Sequence, residues 1–247
     1  AVANGGDPDN DTDHDNNGIT QNTTTATIKG GTINLSLGGE PQTNHNPSYD
    51  FGIFKSNGLG DYVFLDTDVD GIQDAGENGI AGVTVNLRNT SGGLLASTTT
   101  DATGYYYFYD PAQYGTNNYN IEFITPAGYG RSPSNQGAYD SKDSDPVNGK
   151  ITNVSVPNGV WNYSFDAGFY PLMALGNRVF HDVNNNGIQA ASGEPGIAAI
   201  TVYLYRDANN DNVADGASIA STVTNTSGSY LFSSLTPGNY IVGILPP

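Results

Sequence analysis

Oxygen-bearing side chains alternate along the segment from 66 to 77, which reads DTDVDGIQDAGE. Carboxylates occupy its first, third, fifth, ninth and twelfth positions, namely Asp66, Asp68, Asp70, Asp74 and Glu77. Alternate oxygens at the first three positions can converge on one cation, Gly71 permits a sharp turn, and the Ile72 carbonyl can add a ligand. The terminal glutamate can close the coordination shell with both oxygens. This spacing predicts a Ca2+ site with the loop chemistry of EF-hands.

Two later segments repeat parts of this pattern. The segment 182–194 keeps the spacing at its start, but it has one extra residue before its glutamate and Ala190 at the ninth position. We expect weaker binding from its candidate ligands, Asp182, Asn184, Asn186, Ile188 and Glu194. The segment 207–215 lacks glycine at position six. It fits a metal loop with ligands Asp207, Asn209, Asp211, Val213 and Asp215, and it fits an ordinary Asx-rich turn equally well.

An acidic run near the N-terminus, DPDNDTDHDNNG from 7 to 18, offers further ligands. Several registers are possible, and the preferred one uses Asp11, Asp13 and Asp15. Its counterpart later in the chain is DSKDSD, which contains Asp140, Asp143 and Asp145. Isolated acidic runs are often solvated turns, but recurrence of the loop spacing at equivalent positions of a repeat favours metal binding.

Internal similarity organises the chain. LGDYVFLDTDVDGIQDAGENGIAG, from 59 to 82, recurs from 175 to 199 at an offset of 116 between Gly60 and Gly176. The same offset aligns SYDFGIFK (48–55) with SFDAGFYP (164–171). We therefore expect residues 1–57 to be the C-terminal half of a repeat, 58–171 a complete repeat and 172–247 an N-terminal half. Residues 1–54 of the next copy would complete the last, giving a head-to-tail series.

Short alternating segments carry the fold prediction. With 32 Gly, 13 Pro and 36% hydrophobic residues, the chain has too many breakers for long helices and too many core formers for disorder. Apolar and polar residues alternate over seven segments, which predicts an all-β sandwich. They are 61–65, 83–87, 94–99, 105–109, 119–123, 151–156 and 163–170. The metal loops thus lie between strands and not between helices.

Charge and composition exclude several functions. The net charge is −17, with only eight Lys and Arg to meet phosphates, so nucleic acids and anionic membranes are unsuitable partners. Only four of the 25 acidic residues are Glu, and the bias toward Asp suits turns and calcium loops. There is no Cys, which excludes disulfides and thiolate sites. No stretch is apolar enough for a membrane span.

The order of these motifs resembles a known family. GDYVFLDTDVDGIQDAGENGIAGVTVNL, then ATGYYYF, DSD and DAGFY, is similar to the B-repeat of serine-aspartate-repeat adhesins, a relative of Cna-B domains. The resemblance implies tandem Greek-key β-sandwich repeats that bind calcium and form a rigid extracellular stalk or filament on a bacterial surface. It assigns calcium to Asp66, Asp68, Asp70 and Glu77, and the DSD motif to Asp143 and Asp145.

An enzyme and a binding module are the two alternatives to a structural repeat. An enzyme is disfavoured because His14, His45 and His181 are isolated and neither GxSxG nor HExxH occurs. A binding module for carbohydrate or protein is the serious alternative, because Tyr and Trp are abundant between 105 and 163. Contiguous exposed rings would favour that alternative, whereas strand alternation would bury half of them.

Overall fold

A computed structural model of the chain describes residues 18–19, 29–30, 57–109, 111–114, 118–157, 159–190 and 192–245. The chain forms two compact units, one of 1–57 with 157–160 and one of 58–156 with 161–247. In the first unit, strands β1 (Gly18–Ile19) and β2 (Lys29–Gly30) pair antiparallel. The remaining strands belong to the second unit.

Residues 58–171, here called the first repeat, contain nine strands in two sheets. The first sheet has the order β10-β3-β11-β8, with β6 on the other edge of β3, and the second has the order β5-β4-β7-β9. A 3-10 helix, Pro111–Tyr114, follows β6. The strands are β3 (Gly58–Leu65), β4 (Thr84–Asn89), β5 (Leu94–Thr99), β6 (Tyr105–Tyr109), β7 (Asn118–Phe123), β8 (Tyr129–Arg131), β9 (Lys150–Ser155), β10 (Trp161–Asn162) and β11 (Ala167–Pro171).

The two sheets share one apolar core, and the chain crosses repeatedly between them, as in a Greek key. Leu59, Val63 and Phe169 contribute from the first sheet, and Val85 and Ile121 from the second, each at most 1% exposed. Alternation along each strand produces this arrangement, because successive side chains point to opposite faces. The predicted all-β sandwich is therefore confirmed.

Two details of the strand predictions are wrong. The predicted strand 163–170 is shortened to β11, which begins at Ala167 and, like β10, runs parallel to β3. It begins late because the N–H groups of Ser164 and Asp166 donate to side chains of Asn162 and Asp145 and not to a neighbouring strand. Asn86 does not face water as its strand alternation predicts: it is 9% exposed and donates to Glu122. Strand β8 was also missed, since its three residues are too short for a periodic signal.

Residues 173–245, here called the second repeat segment, contain five strands. They are β12 (Met173–Arg178), β13 (Thr201–Arg206), β14 (Ala220–Val223), β15 (Ser229–Leu235) and β16 (Tyr240–Ile244). Strands β12 and β15 pair, and β14-β13-β16 form a second sheet. Val202, Leu204 and Phe232 are its buried core cluster. Among the residues described, no helix has the length and apolar character needed to cross a membrane.

Equivalent hydrogen bonds relate the two repeats. Val63 donates to the carbonyl of Gly104 and Val179 to that of Gly228. In the first repeat the Thr100 hydroxyl bridges Ile80 and Val83, and Thr224 bridges Ile197 and Ile200 in the same way. The internal sequence similarity thus extends to side-chain detail. It gives the loop 182–194 a reference loop, 66–77, in the first repeat.

Candidate metal centre

The loop 66–77 is closed by the sheet that carries it. β3 ends at Leu65, whose N–H donates to the carbonyl of Asn78, and Phe64 bridges Gly79. A Cβ on Gly79 would lie 1.9 Å from the Thr103 carbonyl oxygen, so only glycine permits this contact. The first and last residues of the loop are therefore held together by backbone bonds, whatever occupies its interior.

Three carboxylates converge inside this loop. Oxygens of Asp66, Asp68 and Asp70 all lie within 4.8 Å of one another. Asp66 is fully buried, and its two oxygens accept the N–H groups of Val69 (2.6 Å) and Gly71 (3.0 Å). Burial raises the pKa of Asp66, while these hydrogen bonds act in the opposite direction. Three clustered carboxylates repel unless a cation offsets their charge.

The other predicted ligands of the loop have different positions. Glu77 is 8% exposed, and its oxygens accept the N–H groups of Thr67 at 2.6 Å and Asp74 at 3.1 Å. The Asp74 side chain is exposed and does not belong to the three-carboxylate group. Ile72 is half-buried, donates its N–H to Asp70 and pairs with Asp143 across an isolated bridge.

The segment 133–145 covers this loop. Ser144 donates to the carbonyl of Gly71 at 2.9 Å, and Gln73 donates to that of Lys142 at 2.7 Å. A Cβ on Gly71 would lie 2.4 Å from the Pro133 carbonyl oxygen, and this glycine also has φ +83°. The structure thus joins the DSD motif to the EF-like loop through backbone contacts.

A second acidic group lies in the covering segment. Oxygens of Asp140, Asp143 and Asp145 lie within 4.8 Å of one another. Asp166 donates its N–H to Asp145 at 2.6 Å, and its own Oδ1 accepts the N–H of Tyr62. Two buried carboxylate oxygens here have no hydrogen-bond partner, Asp143 Oδ1 and Asp166 Oδ2. Such oxygens are costly to bury unless a cation or another donor meets them.

Burial raises the pKa values of carboxyl groups in and beside this acidic group. It raises the pKa of Asp166 to about 8 and that of Asp145 to about 7, and neighbouring carboxylates add to both shifts. Burial likewise raises the pKa of Asp61, on β3, to about 6. Asp61 and Asp145 are the charges that act on Asp166 most strongly. A divalent cation would favour the charged forms of all three.

Asp61 and Asp166 were not among the ligands predicted from sequence. Neither lies in an alternating acidic run, so loop spacing could not indicate them. Asp166 did carry a signal, because SFDAGFYP at 164–171 recurs as SYDFGIFK at 48–55 and keeps its aspartate. Asp61 carried none, since Asn177 stands at the equivalent position.

The loop 182–194 has the same backbone hydrogen bonds but less cover. Asp182 accepts the N–H groups of Asn186 and Gly187, and Asn186 accepts that of Ile188. The side chain of Asn184 also accepts from Asn186. No heavy atom lies within 4 Å of a Cβ placed on Gly187, and Ile188 is 68% exposed. Glu194 is buried and its Oε1 has no hydrogen-bond partner.

The loop 207–215 adopts the same turn without glycine. Asp207 is 4% exposed and accepts the N–H groups of Asp211 and Asn212, while Asp211 accepts that of Val213. Asn212, at position six, has φ 65°. Asp215 accepts the N–H of Ala208, the part that Glu77 plays for Thr67. Asn209 also accepts from Asp211. The predicted Asp11, Asp13 and Asp15 lie outside the described residues.

These donors fit calcium better than other biological metals. Every candidate ligand offers oxygen and none offers sulfur, which matches the preference of Ca2+ for carboxylates and carbonyls. The three unpartnered buried carboxylate oxygens, one each of Asp143, Asp166 and Glu194, lie at or beside the predicted loops. The ions would therefore meet oxygens that the protein itself leaves unpaired.

The comparisons with known proteins identify the family. The SdrD B-like domain matches residues 57–169 and 173–247. The chain belongs to this family. The resemblance inferred from the motifs is thereby confirmed, and the repeat is a structural module and not an enzyme.

Curated relatives show similarity over most of the chain. Serine-aspartate repeat-containing protein D of Staphylococcus aureus (strain Newman) is 42% identical over 205 residues, 82% of this chain. Serine-aspartate repeat-containing protein F of Staphylococcus epidermidis is 39% identical over 237 residues, 94% of this chain. The chain spans 14% and 12% of the lengths of these relatives. A solved streptococcal ancillary pilin is similar at 13% identity, with TM-score 0.38 over 93% of this chain and 65% of its own.

The two EF-like loops should differ in importance for stability. We expect Asp66→Ala to lower the melting temperature in saturating calcium more than Asp182→Ala, because Asp66 is fully buried under the segment 133–145 and Asp182 is not. Loss of a buried acceptor costs about 1–3 kcal/mol. Differential scanning calorimetry measures which of the two variants melts at the lower temperature, with Asp74→Ala, at an exposed residue, as the control. Equal or reversed effects of the first two variants would contradict the expectation.

Proposed function

We propose that the chain is a calcium-stabilised structural repeat of an extracellular surface adhesin, in which successive repeats form a rigid stalk or filament. The observation that carries the proposal is the pair of unpartnered buried oxygens, Asp143 Oδ1 and Asp166 Oδ2, beside three converging carboxylates. Calcium bound at these groups would cross-link the loop after β3 to the segment 133–145. Such a link would restrain two long connections, neither of which contributes a residue to the apolar core cluster.

Direct calcium binding tests this proposal. Isothermal titration calorimetry of the metal-free chain should give at least one tight site, assigned to loop 66–77, together with weaker sites. The double variant Asp68→Asn with Asp70→Asn should remove the tight site, since each change keeps side-chain size but removes charge. Magnesium is the matched control, because it prefers a smaller octahedral shell and retains its water. Equal heats with calcium and magnesium, or no binding, would contradict the proposal.

The partners that we propose are neighbouring repeats of the same kind, arranged head to tail. Leu59, Val63 and Phe64 on β3 are fully buried, whereas Leu175, Val179 and Phe180, their equivalents at the offset of 116, are half-buried. Strand pairing explains this difference in burial, because β3 has the parallel neighbours β10 and β11, while β12 pairs with β15. An unsatisfied edge of this kind favours addition of a strand.

A cleft beside β12 also supports the head-to-tail arrangement. It has a volume of about 450 Å³ and is lined by Met173, Leu175, Leu235 and Tyr240, among others. The segment 48–55 is the chain's own sequence equivalent of the β11 region, so the corresponding segment of an adjoining copy has the chemistry to pair with β12. The composite repeat would also bring an acidic run like 7–18 to loop 182–194.

A tandem protein tests this head-to-tail assignment. Two copies of the chain joined in series should melt with an additional cooperative transition, absent from the single chain, because the second repeat segment gains the missing strand at the joint. That transition should shift upward with calcium. A control tandem carrying Val179→Asp should lose it, since a buried charge at the joint opposes packing. Identical melting of the tandem and the single chain would contradict the arrangement.

A further inference from the structure

Six aromatic rings form a continuous patch on the outer side of the first sheet. They belong to β3, β6, β10 and the residue just after β10, and we call them the aromatic face: Tyr62, Tyr105, Tyr107, Tyr109, Trp161 and Tyr163. Each ring lies within 6.3 Å of another, measured between centroids, from Tyr62–Tyr105 at 4.8 Å to Tyr107–Tyr163 at 6.2 Å. Trp161 joins the strip through Tyr109 at 5.1 Å and Tyr163 at 5.7 Å.

The sequence builds this face by strand alternation and by glycine. On β6 the side chains of Tyr106 and Phe108 enter the core, so the alternate tyrosines point outward. The β3 residues opposite Tyr109 and Tyr107 are Gly58 and Gly60. A Cβ on Gly58 would lie 2.5 Å from the Trp161 ring, so the indole rests directly on the strand backbone. Glycine therefore occupies the β3 positions opposite these rings.

The face remains open to solvent. Tyr109 is 65% exposed, Tyr163 50% and Tyr105 40%. Contiguous exposed aromatic surface of this kind marks interaction sites, where Tyr and Trp are enriched. These six residues lie outside the apolar core cluster of the repeat. Tyr62, Tyr107 and Trp161 are half-buried, so Tyr105, Tyr109 and Tyr163 carry most of the exposed surface of the face.

The charges beside the face are negative. Asp101 accepts the N–H groups of Thr103 and Tyr105, and its hydroxyl bond from Thr103 holds the pKa of Asp101 below its ordinary value. Burial raises the pKa of Tyr107, and the carboxylates of Asp61 and Asp101 raise it further. The faces of aromatic rings are themselves electron-rich. With a net charge of −17 and only eight Lys and Arg in the whole chain, a second copy offers few cations to this face.

We propose that the aromatic face binds a polypeptide segment rich in arginine and lysine, whose cations stack on the rings and face the Asp101 carboxylate. The same chemistry occurs within the chain, where the Arg206 guanidinium lies 4.5 Å from the centroid of the Tyr240 ring. Arginine also stacks on aromatic planes. Six rings in a strip, with a carboxylate at one end, suit an extended segment carrying several cations.

Tryptophan fluorescence reports on this face alone, because Trp161 is the only Trp of the chain. We expect an oligo-arginine peptide, added to the whole chain in calcium buffer, to change the emission saturably, while an oligo-glutamine peptide of equal length does not. Tyr109→Ala and Tyr163→Ala should each weaken binding by about 3- to 30-fold. Tyr139→Ala, at a site that is 75% exposed and outside the face, should leave it within about twofold.

Tyr109→Leu separates the cation–π contact from apolar contact. Leucine keeps apolar area but has no ring, so it should weaken binding as much as alanine does. Unchanged melting temperatures show that the variants fold. Unchanged affinity in both Tyr109→Ala and Tyr163→Ala would mean general charge attraction, and retained affinity in Tyr109→Leu would mean apolar contact. Either result, or a response to a neutral polysaccharide such as dextran but not to the peptide, overturns the proposal and leaves calcium binding untouched.

Discussion

Removal of calcium should lower the melting temperature of the chain by about 10 °C or more. A ligand present at about 100 times its dissociation constant stabilises the folded state by roughly 2.7 kcal/mol per site, and about 1 kcal/mol shifts a domain of this size by several degrees. The effect should be large because the loop 66–77 and the segment 133–145 carry carboxylates that repel one another without a cation. The measurement is a thermal scan in calcium and in excess EDTA.

The variant Asp68→Asn with Asp70→Asn provides the control for chelation. With two charges removed from the loop, the difference between the melting temperatures of the variant in calcium and in EDTA should be much smaller than that of the unchanged chain, and the weaker sites should account for what remains. Its melting temperature in EDTA should lie at or above that of the unchanged chain, because two carboxylates no longer repel Asp66. Superimposable scans of the unchanged chain in calcium and EDTA would remove the basis for a stabilising metal.

The pH dependence of stability should reverse when calcium is removed. Between pH 5 and 8 the folded, metal-free chain holds protons on Asp145 and Asp166, whose pKa values are about 7 and about 8, whereas an unfolded Asp has a pKa near 3.9. The folded state therefore binds more protons, and raising the pH destabilises it until both groups have ionised. In EDTA the melting temperature should fall across this range.

In the proposed calcium-bound state these carboxylates lie at or beside the ion, and calcium binds carboxylates in their ionised form, so binding tightens as the pH rises. The melting temperature should then rise, or stay level, between pH 5 and 8. Asp166→Asn is the matched variant, because the amide oxygen can still accept the N–H of Tyr62 but carries no charge. In EDTA at pH 8, the melting temperature of this variant should exceed that of the unchanged chain. A melting temperature that rises with pH in EDTA would contradict the assignment.

Several properties of this chain follow from local sequence. Strand alternation at 83–87 and 119–123 predicts buried Val83, Val85 and Ile121, because the period of two is a property of the extended backbone itself. The spacing of Asp66, Asp68 and Asp70 likewise predicts their convergence, since a tight loop between two paired strand ends leaves alternate side chains on one side. Both patterns are short-range, so one chain segment contains all the information.

Tertiary structure alone decided which carboxylates are buried away from solvent. Asp166 joins the acidic group because β11 pairs with β3, a contact between residues about one hundred positions apart in the chain. Asp61, on β3, and Asp145, which accepts the N–H of Asp166, act on Asp166 in the same group. The loops 66–77 and 182–194 have similar sequences and similar turns, but among the described residues a covering segment like 133–145 lies only over the first. Burial and electrostatic coupling depend on what packs above a residue, and no local spacing encodes that.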